Sequence, residues 1–333
     1  MPGPPLDKNS SGYTWRRRDF LTAALATVAG SSLLTIPHAA AGAATAEDRL
    51  GGGSLQGDAV RPDGVVPQEG GEITVRQVID LILADIPGAP FSQTVDTIKA
   101  GNIDQPVKGI VTTMFATDAV IEKAIGLGAN FIIAHEPTFY NHADETDWLK
   151  EDSVFLFKKD LLDSHGIVVW RFHDYWHAHR PDGILVGVLT ALGWEKFYNA
   201  AEPPIITVPA ISLGEVVKRA KKQLGIDKMK VMGDLSQSCQ RIVLSPGAAG
   251  GGAQIGELRK YSPDLLIVGE LNEWETSEYI RDARYQGLKM SLLVLGHSVS
   301  EEPGMQWLIP LLQPKVPGIK ISHVPSGDPF MWV

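Results

Sequence analysis

The chain has almost no cysteine, since Cys239 is the single one among 333 residues. One cysteine cannot form a disulfide within the molecule, and it cannot supply the several thiolates of a soft-metal site. Cys239 comes just before an apolar run, and we interpret it as a small packing residue without chemistry. Stability must therefore come from a hydrophobic core and from any bound metal.

Positive charge is also scarce. The sequence contains 30 Lys and Arg against 39 Asp and Glu, a formal net charge of -9. Binding to a nucleic acid needs clustered basic side chains that neutralise phosphates, and the only such block is at the N-terminus. We therefore expect no nucleic-acid partner. A chain of this length that is 44% hydrophobic can bury a large core, as one domain or as two lobes.

Long, strongly apolar runs are missing as well, and the absence of such a run matters most at the N-terminus. The segment TWRRRDFLTAALATVAGSSLLTIPHAAAGAATA places Arg17 and Arg18 before a weakly apolar stretch and small-residue A-x-A sites. Residues 1–46 resemble a twin-arginine export signal. A single membrane anchor is the alternative, but a spanning helix needs about twenty strongly apolar residues. The resemblance implies an exported bacterial protein, periplasmic or extracellular, with no membrane contact after cleavage near residues 43–46.

Residues 47–72 are rich in Gly, Pro and charge without sustained periodicity, so we interpret them as a flexible tether. The folded part, 73–333, opens with ITVRQVIDLIL, in which Thr74 and Gln77 have the spacing of a capping box. Short apolar runs then alternate with amphipathic segments. This alternation predicts an α/β fold with sheets covered by helices. The expected lobes are approximately residues 73–200 and 201–333.

Histidines and glutamates recur where the predicted strands end. His135 and Glu136 follow NFIIA, the motif HDYWHAH follows GIVVWRF, Glu270 follows DLLIVG, and His297 follows MSLLVLG. Ligands of α/β sheets gather at the carboxyl ends of strands, so these side chains are expected to meet in one cleft. A lone histidine in such a place is more often an ordinary polar residue; it is the repetition that favours a site.

Spacing supports a metal site. His173 and His177 are four residues apart, as are His297 and Glu301, so each pair shares one face if its segment is helical. Imidazole and carboxylate are ligands for a first-row divalent ion such as Zn, Mn, Fe or Ni. The glycine-rich segment SPGAAGGGAQIGEL lacks a Walker lysine and the GxGxxG spacing, so we interpret it as a permissive loop rather than a phosphate cradle.

The motifs AHEP, HDYWHA, GHSVSE and SGDPF, with the pair Gly269–Glu270, resemble the NIF-three-like dinuclear metal-centre family, also known as type 2 GTP cyclohydrolase I. The resemblance covers about residues 73–330 in the family's order and spacing. Glu136 stands where the family has a histidine, and His177 stands where it has an aspartate, so the set of three histidines and two carboxylates is retained. The resemblance implies two divalent ions held by His135, Glu136, His177, His297 and Glu301. Asp174 is the alternative to His177.

The family also implies a two-lobed fold with the metal site in the cleft, and a ring-like homo-oligomer, a hexamer in family members. Two neighbouring ions can share a bridging water, lower its pKa and hold an electrophilic carbonyl or phosphorus for attack. We therefore expect a metal-dependent hydrolase, cyclohydrolase-like or a phosphoesterase, acting on a small nucleotide-like or cyclic-amide substrate. Glu270 is the candidate catalytic residue that orients or deprotonates the water; capping the next helix is its alternative role. A non-catalytic metal-binding or scaffold protein is the alternative function.

Overall fold

The computed structural model describes residues 72–331. The predicted signal segment, 1–46, lies outside these residues, and the predicted tether, 47–72, reaches them only at Glu72. The described part is the expected α/β fold, with two five-stranded sheets and helices packed on them. Within it, none of the helices is both long and apolar enough to cross a membrane.

The elements up to residue 200 begin with a capped helix. The helices of this part of the chain are α1 (Val75–Leu83), α2 (Asp118–Gly126), α3 (Ser153–Ser164), α4 (Asp174–Ala178) and α5 (Gly183–Leu192). Its strands are β1 (Ile98–Ala100), β2 (Ile110–Thr113), β3 (Phe131–Ala134) and β4 (Val168–Arg171). Short 3-10 turns cover Asp147–Leu149 and Glu195–Phe197. The predicted capping box of α1 is confirmed, because Thr74 Oγ1 accepts from the Gln77 N–H and the Gln77 side chain accepts from the Thr74 N–H.

The later elements alternate in the same way. The helices are α6 (Leu213–Leu224), α7 (Gly251–Tyr261), α8 (Glu278–Tyr285) and α9 (His297–Leu312). The strands are β5 (Ile205–Ser212), β6 (Lys230–Met232), β7 (Ser238–Ser245), β8 (Leu265–Val268), β9 (Ser291–Val294) and β10 (Ile321–His323). A π-helical segment, Glu273–Ser277, leads into α8, and a 3-10 turn, Gln313–Lys315, follows α9.

The first sheet has the strand order β1-β4-β3-β2-β10, parallel except for β1. Its last strand arrives from the far end of the chain, so that Ile321 pairs with Ile110. The observed sheets therefore differ from the expected division at residue 200, since the segment 201–333 gives β10 to the first sheet. In that place β10 covers the edge of β2, whose four residues are all buried.

The second sheet has the order β5-β7-β8-β9-β6, with three parallel strands inside and an antiparallel strand at each edge. Apart from β7, the inner parallel strands of both sheets have only four residues each and are largely or entirely buried, for example FIIA in β3 and LLIV in β8. Such unbroken apolar runs are typical of parallel strands that are covered by helices on both faces.

Helix α5 joins the two cores, and α9 packs against it. Ile184 of α5 packs with the core of the first sheet, whereas Val188 and Leu189 pack with that of the second. A Cβ at Gly187 would lie 2.4 Å from the Cα of Gly304 in α9, so glycine is what allows the two helix backbones to touch. Because α9 begins at His297, this contact fixes the start of α9 relative to the first sheet.

Candidate metal centre

His135 directly follows β3 and is fully buried. Its Nδ1 lies 3.0 Å from the carbonyl oxygen of Phe172. A carbonyl can only accept, so Nδ1 carries the proton and Nε2 presents its lone pair. Among the described residues this buried Nε2 has no hydrogen-bond partner. Buried polar atoms are rarely left unpaired, and an imidazole whose other nitrogen is held by a second group is typical of a metal ligand.

The short helix α4 is anchored at the end of β4 by a buried carboxylate. Asp96 accepts hydrogen bonds from the backbone N–H groups of His173 and Tyr175, each at 2.8 Å, and from that of Asp174 at 3.1 Å. Burial raises the pKa of Asp96 to about 6, although these N–H groups favour its charged form. Asp96 thereby sets where the histidines of α4 point.

His173, which immediately precedes α4, and His177, which lies within it, face His135. His173 Nδ1 contacts Asp174 Oδ1, and His177 Nδ1 contacts Asp182 Oδ2, both at 2.9 Å. Their ring centroids lie 4.8 and 5.1 Å from that of His135. One ligand atom from each of the three histidines lies within 4.8 Å of the others, so these residues could hold a metal ion.

Helix α9 brings a histidine and a carboxylate to the same place. His297 Nε2 is 3.1 Å from Glu301 Oε2 and 3.2 Å from Glu136 Oε1, so the spacing of four residues does place both side chains on one helix face. Glu301 Oε2 is also 3.8 Å from His135 Nε2. His135, Glu136 and Glu301 form a second group whose ligand atoms lie within 4.8 Å of one another.

Burial and neighbouring groups set the charges of the histidines. Burial lowers the pKa of His135 well below its usual value, and the neighbouring histidines lower it further. Burial also lowers the pKa of His173. At His177 burial acts in the same direction, but the hydrogen bond to Asp182 and the negative charges of Asp182, Glu301 and Glu136 together outweigh it and raise the pKa. His135 and His173 are therefore held in the neutral form that binds metal ions.

The pKa of His297 shifts in the opposite direction to those of His135 and His173. Burial opposes its charged form, yet the hydrogen bonds to Glu136 and Glu301 raise the pKa of His297 to about 10. For Glu136, burial is outweighed by the contacts with His297, His173 and Arg171 together and the pKa falls, whereas burial prevails at Glu301 and raises its pKa. A proton on His297 or a divalent cation would supply positive charge beside these two buried carboxylates.

The structure brings the five predicted ligand residues to one place and adds His173. Asp174 is engaged elsewhere, because its Oδ2 accepts from Thr94 Oγ1 and from the Val95 N–H while its Oδ1 contacts His173. This favours His177 over Asp174 as a donor. The ring of His142 is close as well, 5.9 Å from that of His173. Cys239 lies in the second core, where burial raises its pKa to about 11.

The cluster opens into a cavity of ≈ 500 Å³, whose walls include Glu136, His173 and His297. The glycine-rich loop forms another wall. Gly247 has φ +70, and a Cβ there would lie 2.1 Å from Glu301 Oε1, so only glycine lets the loop approach this carboxylate. Ser300 Oγ accepts from the Gly247 N–H at 2.9 Å and ties the loop to α9.

Glu270 lies on the other side of His297. Its Oε2 is 3.7 Å from His297 Nδ1, and its side chain is 57% exposed. It lines a second cavity of ≈ 550 Å³, which shares His297 and Phe115 with the first. The helical segment that follows has Asn272 at its N-cap and no capping side chain, so the alternative role of Glu270 as a cap is not observed.

Sequence reasoning missed Arg171, the last residue of β4. Its side chain is fully buried, and Nη2 lies 3.2 Å from Glu136 Oε2. A signal was available, since a charged residue inside the apolar run GIVVWRF must find a buried partner. The partner itself could not be read from the sequence, because Glu136 follows the neighbouring strand, β3.

These observations define the class: an α/β protein of two sheets, with a cluster of histidines and glutamates at the carboxyl ends of its strands. The Duf34/NIF3 (NGG1p interacting factor 3) family matches residues 75–328. The chain therefore belongs to the Duf34/NIF3 family, and the family expected from the motifs is confirmed.

Individual relatives agree with this assignment. A Clostridium perfringens protein named GTP cyclohydrolase 1 type 2 homolog is 23% identical over 234 residues, which are 67% of this chain and 85% of that protein. Staphylococcus aureus protein SA1388 superposes with a TM-score of 0.63 at 18% identity, over 78% of this chain and 99% of its own. A Bacillus cereus protein related to NIF3 superposes with a TM-score of 0.63 at 16% identity, over 79% of this chain and 100% of its own. At these identities the superpositions show the shared fold.

Proposed function

We propose that the chain is a hydrolase that depends on two divalent metal ions and acts on a small molecule. The observation that carries this proposal is the buried Nε2 of His135, which has no partner among the described residues and faces two groups of metal donors. His135 and His177 would bind one ion, and Glu136 and His297 would bind the other. Glu301 Oε2 lies 3.8 Å from His135 Nε2 and 3.1 Å from His297 Nε2, so this carboxylate could serve both ions.

The donor set fits a first-row divalent ion of the Zn, Mn, Fe or Ni type, because it contains imidazole and carboxylate. Two such ions would supply Lewis acidity for a carbonyl or phosphoryl group and would lower the pKa of a water molecule. The chain's own part is to hold the imidazoles in the metal-binding tautomer, through the Phe172 carbonyl and Asp182. A cavity of ≈ 500 Å³ opens on these donors. Structural metal sites are usually closed, so the open cavity favours a hydrolase over a scaffold.

The second cavity supports a substrate with an apolar body. Its walls include Val294, Leu295 and Phe330, and it meets the metal cluster at His297. A ring or alkyl group held there would present its reacting group to the ions, and Glu270 stands at this passage as the candidate proton acceptor. The name of the Clostridium perfringens relative, GTP cyclohydrolase 1 type 2 homolog, supports a cyclic-amide or nucleotide-like substrate.

The test is a hydrolase screen with metal-stripped and metal-reloaded protein on nucleotides, cyclic amides and phosphoesters. Activity is expected only after reloading. Glu270→Gln should then lower kcat about 10²–10⁴-fold, the usual contribution of a general base, without lowering the metal content. Fully loaded protein that turns over none of these substrates would favour the scaffold alternative.

We also propose that the protein is exported in the folded state, because Arg17 and Arg18 precede a weakly apolar stretch. Changing both to Lys should leave uncleaved precursor in the cytoplasm. Unchanged export of that variant would contradict twin-arginine routing. An equally charged control is Arg16→Lys, which leaves the pair intact and should be exported normally.

A further inference from the structure

Arg171 ties several parts of the site together from within the protein. Nε donates to the carbonyl of His135 at 3.3 Å, Nη1 donates to the carbonyl of His142, and Nη2 donates to Glu136 Oε2 at 3.2 Å. A guanidinium carries its N–H donors in one rigid plane, so these contacts fix Glu136 and both ends of the segment 135–142 relative to β4.

Arg171 belongs to a chain of four buried charges. Asp144 Oδ2 lies 3.7 Å from Arg171 Nη1 and 3.2 Å from Lys99 Nζ. The side chains of Lys99 and Asp144 are only 5% and 3% exposed, so each needs the other as counter-charge. With Lys99 and Asp144 balancing each other, the positive charge of Arg171 is left to balance Glu136.

The contact with Arg171 leaves Glu136 one oxygen for the metal cluster. Oε2 faces Arg171, while Oε1 is 3.2 Å from His297 Nε2 and 3.8 Å from His173 Nε2. A free carboxylate can bind a metal ion through either oxygen or both. A carboxylate held by one oxygen offers a single donor atom in a fixed direction, as a histidine does. The family motif has a histidine at this position.

We propose that Arg171 is a positioning residue that makes Glu136 a one-atom metal ligand by occupying its other oxygen. This inference rests on the metal centre of the proposed function. It explains why a glutamate and a buried arginine occur together here, and it predicts that the two residues are coupled in metal binding.

A double-variant cycle tests the coupling, with Zn²⁺ affinity measured by competition against a chromophoric chelator and zinc content measured by elemental analysis. Arg171→Met should weaken binding about 10–100-fold, the usual cost of losing the partner of a ligand. In the Glu136→His background, where the imidazole needs no guanidinium, Arg171→Met should change the affinity less than about twofold. Equal losses in both backgrounds, or no loss in either, would overturn the inference.

Lys99→Met is the matched control, because it removes a buried cation that contacts Asp144 and not Glu136. It should destabilise the fold but leave Zn²⁺ affinity within about twofold; a loss as large as that of Arg171→Met would overturn the inference. Should Arg171→Met not fold, Arg171→Lys takes its place, since an ammonium keeps the charge but cannot make all three contacts. The loss of Zn²⁺ affinity caused by Arg171→Lys should likewise vanish in the Glu136→His background. Wild-type protein that binds no Zn²⁺ would overturn the proposed metal centre itself.

Discussion

At the residue scale, the histidines of the cluster differ in what fixes their tautomer. The Phe172 carbonyl holds Nδ1 of His135, Asp182 holds that of His177, and Asp174 that of His173. In each case Nε2 is left to face the cluster. The residues behind the imidazoles therefore prepare the site as much as the imidazoles do.

Asp182→Asn tests this preparation at His177. Asp182 also caps α5 through Oδ1, which accepts from the N–H groups of Ile184 and Leu185, and asparagine is an equally good cap. The amide nitrogen would then face His177 and force the proton onto Nε2, where it blocks metal binding. We expect folding stability to change by about 1 kcal/mol or less and metal affinity to fall about 10–100-fold. Urea unfolding and Zn²⁺ titration measure the two effects.

Asp174→Asn is the control for Asp182→Asn, because it makes the same change behind His173. Since His177 rather than His173 is the proposed donor, its effect on metal affinity should be mild. A larger loss in Asp174→Asn than in Asp182→Asn would reverse that choice.

The sequence alone reaches some of these residues and not others. His135, His297 and Glu301 can be found because a strand end and a spacing of four residues are local patterns. The pairing of Asp182 with His177 and of Arg171 with Glu136 cannot be found in the same way, because it depends on which segments the fold brings together.

At the element scale, α9 carries both the site and the contact that positions it. His297 and Glu301 occupy its first turns, and Gly304 lies against Gly187 of α5. Alternating apolar and amphipathic segments predicted the strands that lead to the site, β3, β4, β8 and β9, but not the antiparallel edge strands β1, β5 and β6. They could not predict that β10 returns to the first sheet, because the segment ISH shows a strand but does not show its partner.

Gly187→Ala should therefore destabilise the fold. The new methyl group would meet the backbone of Gly304 at 2.4 Å, and overpacking of this kind typically costs about 1–3 kcal/mol. Gly256 in α7 is the matched control, since a Cβ there meets nothing within 4 Å. Gly256→Ala should stabilise the helix by up to about 1 kcal/mol. Urea unfolding measures the stability of both variants. Equal stabilities of Gly187→Ala and Gly256→Ala would contradict the packing described for α5 and α9.

At the scale of the whole molecule, the fold places donors from two sheets in one cleft. β3 and β4 lead to His135 and α4, and β9 leads to α9. The family fold can thus be predicted from the sequence pattern.

We expect the purified protein to form a ring-like homo-oligomer, because closed symmetry is the usual form of such assemblies and the resembled family forms hexamers. Sedimentation at micromolar concentration should give a single species several times the monomer mass, which is 36.0 kDa for the full chain before cleavage. A monomer under these conditions would show that the assembly prediction is wrong.

Elemental analysis of the purified protein tests the metal centre most directly. The wild type should contain two divalent ions per chain, bound by His135, Glu136, His177, His297 and Glu301. His297→Ala and His177→Ala should each lose most of the metal, because removing one donor from a shared site weakens both ions. His142→Ala should lose none, since His142 is exposed and belongs to neither group of candidate ligands. One ion or fewer in the wild type, or full metal content in His297→Ala, would contradict the dinuclear site.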